Sequence, residues 1–340
     1  MRRAVANGVL GAVLVGVLTC AAAAAPAVAC GCGGVVGPAD SAVSVSNERA
    51  IIHWEDGRET IELMVDMTAN SETAGIIIPT PFTPKVSQGD ARTFELIEAT
   101  IVPTKRVETD WWGLGYLLPD PAEVTADTFN RVRVGPLEAT TMAATDTASL
   151  DTWLAANAFE ISPKLAESLA GYGQLGWSLT AITLTNETGL SGHIDPIRVS
   201  FDTERLVYPM RLASSEKTAQ SVRLYVFDKQ RTAVSKANSP TIDIDANVTV
   251  AWSGAPEDRR LLAMGKYLTV FDIRYDDPPK QATSDIGVVY SLNENDVRPE
   301  NVHYQMITLL GVPVGTLIVL WTALGVVLVL GHVVGRRRAR

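Results

Sequence analysis

Gly75-Ile76-Ile77-Ile78-Pro79-Thr80-Pro81-Phe82-Thr83-Pro84 carries the clearest structural instruction in the chain. Its first part is a continuous apolar run, the pattern of a strand buried on both faces. The prolines at 79, 81 and 84 have no N–H to give a ladder, so the chain leaves that strand as an extended, edge-lying segment. Such a segment also suits polyproline recognition, but a stiff exit from a buried strand explains it without a partner. Immediately upstream, Ala50-Ile51-Ile52-His53-Trp54 and Thr60-Ile61-Glu62-Leu63-Met64-Val65 flank Asp56-Gly57, which predicts a hairpin. Downstream, Asp90 is placed to cap a short amphipathic helix through Phe94, Leu96, Ile97 and Ile101, which Pro103 ends.

Further along, Trp111-Trp112-Gly113-Leu114-Gly115-Tyr116 reads as an aromatic loop. Trp111 and Trp112 are the ligand-facing aromatics of the sequence, suited to a sugar platform or to a membrane-interface anchor; the plain alternative buries one ring in the core. Residues 117–130 read as an insertion or linker. Strand character resumes over 132–141, and two short helices follow. Asp146 or Thr147 caps the first, with Leu150, Trp153 and Leu154 on one face; Ser162-Pro163 opens the second, with Leu165, Leu169 and Tyr172 in repeat. Residues 177–185 alternate as a strand, and 197–201, 222–228, 241–250 and 267–275 add more, separated by Asp195-Pro196, Ser253-Gly254 and Asp277-Pro278-Pro279. The fold class is therefore α+β: a β-rich domain with a short two-helix module in its middle, plus one C-terminal transmembrane helix.

The segments Leu150-Asp151-Thr152-Trp153-Leu154-Ala155-Ala156-Asn157 and Tyr172-Gly173-Gln174-Leu175-Gly176-Trp177-Ser178-Leu179 resemble the central signature of the uncharacterised bacterial family called domain of unknown function 2330. The Cys-Gly-rich start at residue 30, Ile78-Pro79-Thr80-Pro81, Val134-Gly135-Pro136-Leu137-Glu138, Leu206-Val207-Tyr208-Pro209-Met210-Arg211-Leu212 and Leu224-Tyr225-Val226-Phe227 are similar too. The resemblance extends over roughly 30–230. Ala158-Phe159 stands where the family pattern has Gly-Tyr. The resemblance implies an exported, often membrane-anchored domain; it supplies no activity and no catalytic residues.

Both ends of the chain agree with that address. Residues 307–334 are apolar without an acid or a lysine or arginine, and Arg336, Arg337, Arg338 and Arg340 follow at once. A run of this length exceeds the roughly 20 residues that cross a bilayer, and an arginine cluster belongs on the cytoplasmic side. At the other end, Arg2-Arg3, an apolar stretch over 9–18 and Ala27-Val28-Ala29 form a Sec-type signal peptide with cleavage after Ala29. The expected organisation is a signal peptide over 1–29, an extracytoplasmic domain over 30–303, a transmembrane helix over 304–334 and a cytoplasmic tail over 335–340. The cell membrane is then crossed once, with the N-terminus outside.

Six of the 29 lysines and arginines lie in the signal and the tail, where there is no acid, so residues 30–306 hold 23 basic against 38 acidic residues, a net charge of −15. That excludes nucleic acid as a partner and leaves the membrane itself with an envelope protein or a glycan. Gly311-x-x-x-Gly315 and Gly331-x-x-x-Gly335 offer a weak homodimer contact along the membrane helix.

Chemistry is sparse. Cys20 leaves with the signal, so Cys30 and Cys32 are the only thiols of the mature chain. Their readings are a lipid on Cys30, a soft-metal site, a redox pair, or a structural disulfide between them. Ala27-Val28-Ala29 lacks the leucine-like residue that lipidation prefers, and two thiols alone do not complete a metal site. Asp243-Ile244-Asp245-Ala246-Asn247 resembles the start of a calcium loop, but Val248 stands where a glycine is needed, so an acidic strand face explains it better. Asp272, Asp276 and Asp277 would suit a cation only with backbone help. No G-x-S-x-G, H-E-x-x-H or P-loop motif occurs, and His193 beside Ser191 is a neighbour in sequence, not a dyad. No cofactor is expected. An enzyme is the weaker expectation, a glycan-directed one using acids near Trp111-Trp112 being its form; a binding or scaffolding module outside the membrane is the stronger.

Overall fold

The structure, a computed structural model, describes residues 31, 33–117, 131–132, 137–237, 239, 241 and 243–338. Its layers follow from the side-chain alternation of its strands, in which successive residues face opposite sides. The strand Thr73–Thr80 sends Ile76 and Ile78 into one buried cluster and Ile77 into another, as its unbroken apolar run requires. It lies centrally in a five-stranded sheet, between Gly34–Pro38 and Ser178–Thr185, with Glu138–Ala143 and Phe159–Glu160 at the edges. Pro79 pairs with Leu179 on one side, beyond the point where Gly34–Pro38 stops pairing on the other.

A larger, nine-stranded sheet packs on the Ile76–Ile78 side. Its strand Val43–Glu55 puts Ala50 and Ile52 into the shared core and Ile51 into a third cluster behind. Arg58–Ala69 does the same with Leu63 and Val65 against Met64, and Gln220–Asp228 with Leu224 and Val226 against Tyr225 and Phe227. Helices cover the two outer faces. Ala91–Ile101 and Arg259–Met264 close the large sheet through Phe94, Ile97 and Leu261. Thr147–Ala156 and Pro163–Gly173 close the small one through Leu150, Trp153, Leu165 and Tyr172. The last two helices are no separate module; their buried residues share one cluster with Val36, Ile77, Leu179 and Ala181 of the sheet beneath. The order helix, sheet, sheet, helix gives four layers and three cores.

Local chemistry sets the boundaries. Asp90, Asp146 and Ser162 each accept a first-turn N–H as helix caps, from Arg92, Ser149 and Leu165. Asp56 and Gly57 both have positive φ, 50° and 80°, the turn a two-residue hairpin needs.

At the C-terminal end the helix spans Val314–Arg338, with only Gly315 buried. Among the described residues it is the one helix long and apolar enough to cross a membrane. The helix expected over 304–334 thus begins ten residues later than composition suggests. Residues 308–313 instead form a small hairpin, Thr308–Leu309 against Val312–Pro313, turning through Leu310 (φ 54°) and Gly311 (φ 78°). Glu300–Met306 pairs in parallel with Thr104–Asp110 over seven residue pairs. Gly311 is therefore in a turn and Gly315 is covered, so Gly311-x-x-x-Gly315 is not a helix face. The signal peptide expected over 1–29, with Ala27 and Ala29, lies outside the described residues, as do Cys30, Cys32 and Arg340.

Candidate functional site

The loop 203–206 joins the strands Ile197–Asp202 and Val207–Tyr208 and is held at every step. The Thr203 N–H donates to Gly57 O at 2.9 Å, the Thr203 hydroxyl to Arg205 O at 2.8 Å, and the Val288 N–H to Leu206 O at 3.2 Å. Leu206 is buried, while Glu204 and Arg205 are exposed. A cavity opens on each side of this loop, and Glu204, Arg205 and Leu206 line both. One, of about 390 Å³, is walled by Phe82 and Trp177; the other, of about 300 Å³, by Trp54 and Tyr290, with Asp228 at its rim. Phe82 is 59% exposed, Tyr290 48% and Trp54 37%. Trp177 leans on Tyr172 with ring centroids 5.0 Å apart.

Beneath the loop lies Glu59, fully buried, opposite Trp54 on one neighbouring strand and Phe201 on the other. Its Oε2 accepts the Val207 N–H at 3.0 Å, and its Oε1 has no hydrogen-bond partner. Burial drives its carboxyl well above the ordinary glutamate range, and the bond from Val207 offsets that only in part.

A larger depression, about 530 Å³, lies on the outer face of the large sheet. Arg49, Arg223, Asp272 and Thr249 stand in register across four strands there. Its cations are tied to acids: Arg223 binds Asp272 through Nε at 2.6 Å and a second nitrogen at 2.9 Å, and Arg274 binds Asp276 at 2.7 Å. Those contacts give Asp272 and Asp276 cationic partners within the chain, and Lys280 takes Asp277 at 2.6 Å. Asp245 likewise pairs with Lys236 at 2.9 Å. Among the described residues no group of three His, Cys, Asp or Glu could hold a metal ion.

One histidine is tied to an acid. His193 contacts Asp66 of the adjacent strand, while the Ser191 hydroxyl donates to Ala69 O, so the two do not form a dyad. His53 has its pKa lowered, chiefly by burial. Trp111 and Trp112 do not line any of these cavities; they sit half-exposed against the start of the terminal helix. Arg336, Arg337 and Arg338 occupy that helix's last turn. The aromatics that do wall cavities come from four separate segments, each unremarkable in its own stretch of sequence.

A family model described as uncharacterized protein conserved in bacteria, domain of unknown function 2330, matches residues 26–288, and the chain belongs to that family. No curated protein matches. Among solved structures, baculovirus P35 is similar at 7% identity and a TM-score of 0.38, covering 79% of this chain and 99% of that one. A mutated, caspase-cleaved baculovirus P35 is similar at 12% identity and a TM-score of 0.30, covering 74% and 98%. Likeness at this level supports no argument about fold or activity.

Proposed function

Starting from membership of that bacterial family, we propose a single-pass envelope protein whose domain outside the membrane is a binding module. Its ligand seats in the paired cavities astride residues 204–206, and the ligand class is a glycan. The observation that carries this reading is the aromatic walling by Phe82, Trp177, Trp54 and Tyr290 of two cavities that share one rigid loop. Flat rings offer apolar faces to the C–H side of a sugar, and Glu204, Arg205 and Asp228 stand beside them for its hydroxyls. Cavities of about 390 and 300 Å³ lie at or above the lower end of the usual ligand range, roughly 300–1,000 Å³. The anchoring half of the reading rests on the exposed apolar helix Val314–Arg338 and the arginines that close it. No reaction is assigned.

Titrating the full chain in micelles with soluble cell-wall glycan fragments, followed by tryptophan fluorescence, tests it. Trp54→Ala and Phe82→Ala should each weaken binding about tenfold, roughly 1.4 kcal/mol, while Trp111→Ala leaves it unchanged. Absence of binding by the parent chain, or equal binding by all variants, would sink the reading.

One observation favours a second reading, thiol redox or soft-metal chemistry at Cys30 and Cys32. Gly31, between them, is buried so closely that a Cβ there would stand 2.3 Å from Met210 Sδ and 3.3 Å from Glu48 Oε2. A thioether beside Gly31, whose neighbours in sequence are both cysteines, suits a soft cation. Intact mass of the mature protein, native and denatured, decides: a mass with no metal adduct removes the soft-metal half, and a mass two hydrogens short that a mild thiol reductant leaves unchanged removes the redox half.

A further inference from the structure

We propose that the loop 111–117 and the hairpin tip 309–310 form a collar that beds in the lipid interface around the terminal helix. This rests on the anchoring half of the function proposed above and is independent of the cavities.

The parallel pairing of Thr104–Asp110 with Glu300–Met306 brings two distant segments to the helix start together. Asp110 then folds the loop onto itself: its carboxylate accepts the N–H of Gly115 at 2.7 Å, of Gly113 at 2.9 Å and of Trp112 at 3.1 Å. The Gly115 bond is the chief reason its pKa falls below the carboxylate norm. The loop next docks on the helix. The Gly315 N–H, one of the first-turn donors a helix leaves unpaired, donates to Trp111 O at 2.7 Å. A Cβ at Gly315 would lie 2.6 Å from the Trp112 ring, one at Gly113 2.9 Å from Pro313, and one at Gly115 2.4 Å from Tyr304. The loop is held to the helix start, the hairpin and the strand before it by close approaches at three glycines.

That tightly held loop nevertheless presents its apolar side chains outward. Trp111 is 49% exposed, Trp112 53%, Leu114 59%, Leu117 66%, Leu309 58% and Leu310 96%. Neither 111–117 nor 307–313 contains a charged residue. Held, exposed apolar surface of this kind marks an interaction site. Its position names the occupant: it surrounds the entry of an apolar helix whose residues face outward almost throughout, so whatever covers that helix continues onto the collar. Tryptophan at such a border is the usual interface anchor. The seat would fix the domain's height and tilt on the membrane instead of leaving it on a flexible tether.

The test uses the full chain in phosphatidylcholine vesicles whose acyl chains carry bromine either near the glycerol end or near the terminal methyl. Trp321, seven residues into the helix and about 10 Å along it, reports whether the helix is in the bilayer; its share of the quenching is what Trp321→Phe removes. The combined Trp111→Phe and Trp112→Phe variant should lose the component quenched by shallow bromines and keep the Trp321 component. Leu310→Trp in that background, at a side chain 96% exposed, should restore shallow quenching. Collar tryptophans quenched by aqueous iodide and not by bromolipid, with Trp321 still quenched, would overturn the collar alone. Protection from both quenchers would overturn it in favour of a protein cover. Loss of Trp321 quenching as well would overturn the anchoring on which it rests.

Discussion

Replacing Glu59 by glutamine removes one titrating group from a buried site where a single N–H offsets its charge only in part. Glu59 is fully buried, receives one N–H from Val207 at 3.0 Å, and has an orphan Oε1. Its native pKa is raised well above the ordinary value because burial penalises the anion. The sign follows by linkage. Above about pH 4.3, the ordinary glutamate pKa, the unfolded chain has released this proton and the native chain still holds it. Stability therefore falls as pH rises, by about 1.4 kcal/mol per pH unit, until the native pKa is passed. Glutamine has the same shape and no charge to lose, so the Glu59→Gln chain lacks that slope. A thermal melt series from weakly acid to weakly alkaline pH should show the two chains close together at the acid end. The variant should gain roughly 3–5 °C per pH unit above it. Taking the difference cancels every other group that titrates alike in both chains. Parallel curves at a constant offset would refute the reasoning, because they would mean that the carboxyl ionises in place at no cost.

Two glycine substitutions probe packing elsewhere. A Cβ at Gly75 would meet the Trp153 ring at 2.6 Å, Val36 at 2.7 Å and Phe159 at 2.9 Å; Gly75→Ala should cost about 1–3 kcal/mol in unfolding experiments, and an unchanged melting temperature would contradict that tight core. Gly315→Ala should loosen the loop 111–117, seen as faster proteolysis there, whereas Gly325→Ala, with nothing within 4 Å, should leave the cleavage rate as it was.

Much of this architecture is written locally and reads well. The apolar run at 75–78 announces a strand between two cores, and Asp90, Asp146 and Ser162 announce helix starts because a cap acts within three residues. What composition misjudges is 307–313, where apolar residues make a hairpin and not helix; Leu310-Gly311 followed by Val312-Pro313 was the available signal, since glycine and proline punctuate. Long-range pairing left no such mark. Thr104–Asp110 and Glu300–Met306 are almost wholly polar or solvent-facing, so neither shows the alternation that betrays a strand, and no local rule joins segments that far apart. The aromatic cavities were illegible for the same reason: Trp54 and Tyr290 lie on strands of two different sheets, Phe82 and Trp177 beside strands of a third, and the cavities exist only once those sheets have assembled. Trp111-Trp112 drew attention by being adjacent, yet adjacency on a loop places them at the helix start and away from those cavities.

Buried acids that do have partners show how the layers are fastened, and they predict an order of costs. Tyr208 donates to Glu48, Tyr225 to Glu98, and Tyr172 to Asp285 at 2.6 Å. The second pair ties the helix Ala91–Ile101 to the large sheet, and the third ties the helix Pro163–Gly173 to the strand region of Asp285. Removing a tyrosine hydroxyl leaves its acid with whatever else it holds. Asp285 would keep the N–H of Met210 at 3.0 Å and of Arg211 at 3.1 Å, and the Arg211 guanidinium at 3.1 Å. Glu98 would keep the more distant Arg223, at 3.9 Å, a guanidinium already committed to Asp272. A buried acceptor stripped of its donor costs about 1–3 kcal/mol, whereas one that remains well bonded loses about 0.5–1.5 kcal/mol. Tyr225→Phe should therefore destabilise more than Tyr172→Phe, although both rings are fully buried and both substitutions delete the same atom. Urea unfolding at one pH measures the two. Equal costs, or the reverse order, would mean that these hydroxyls act by packing and not by satisfying the acids beneath them.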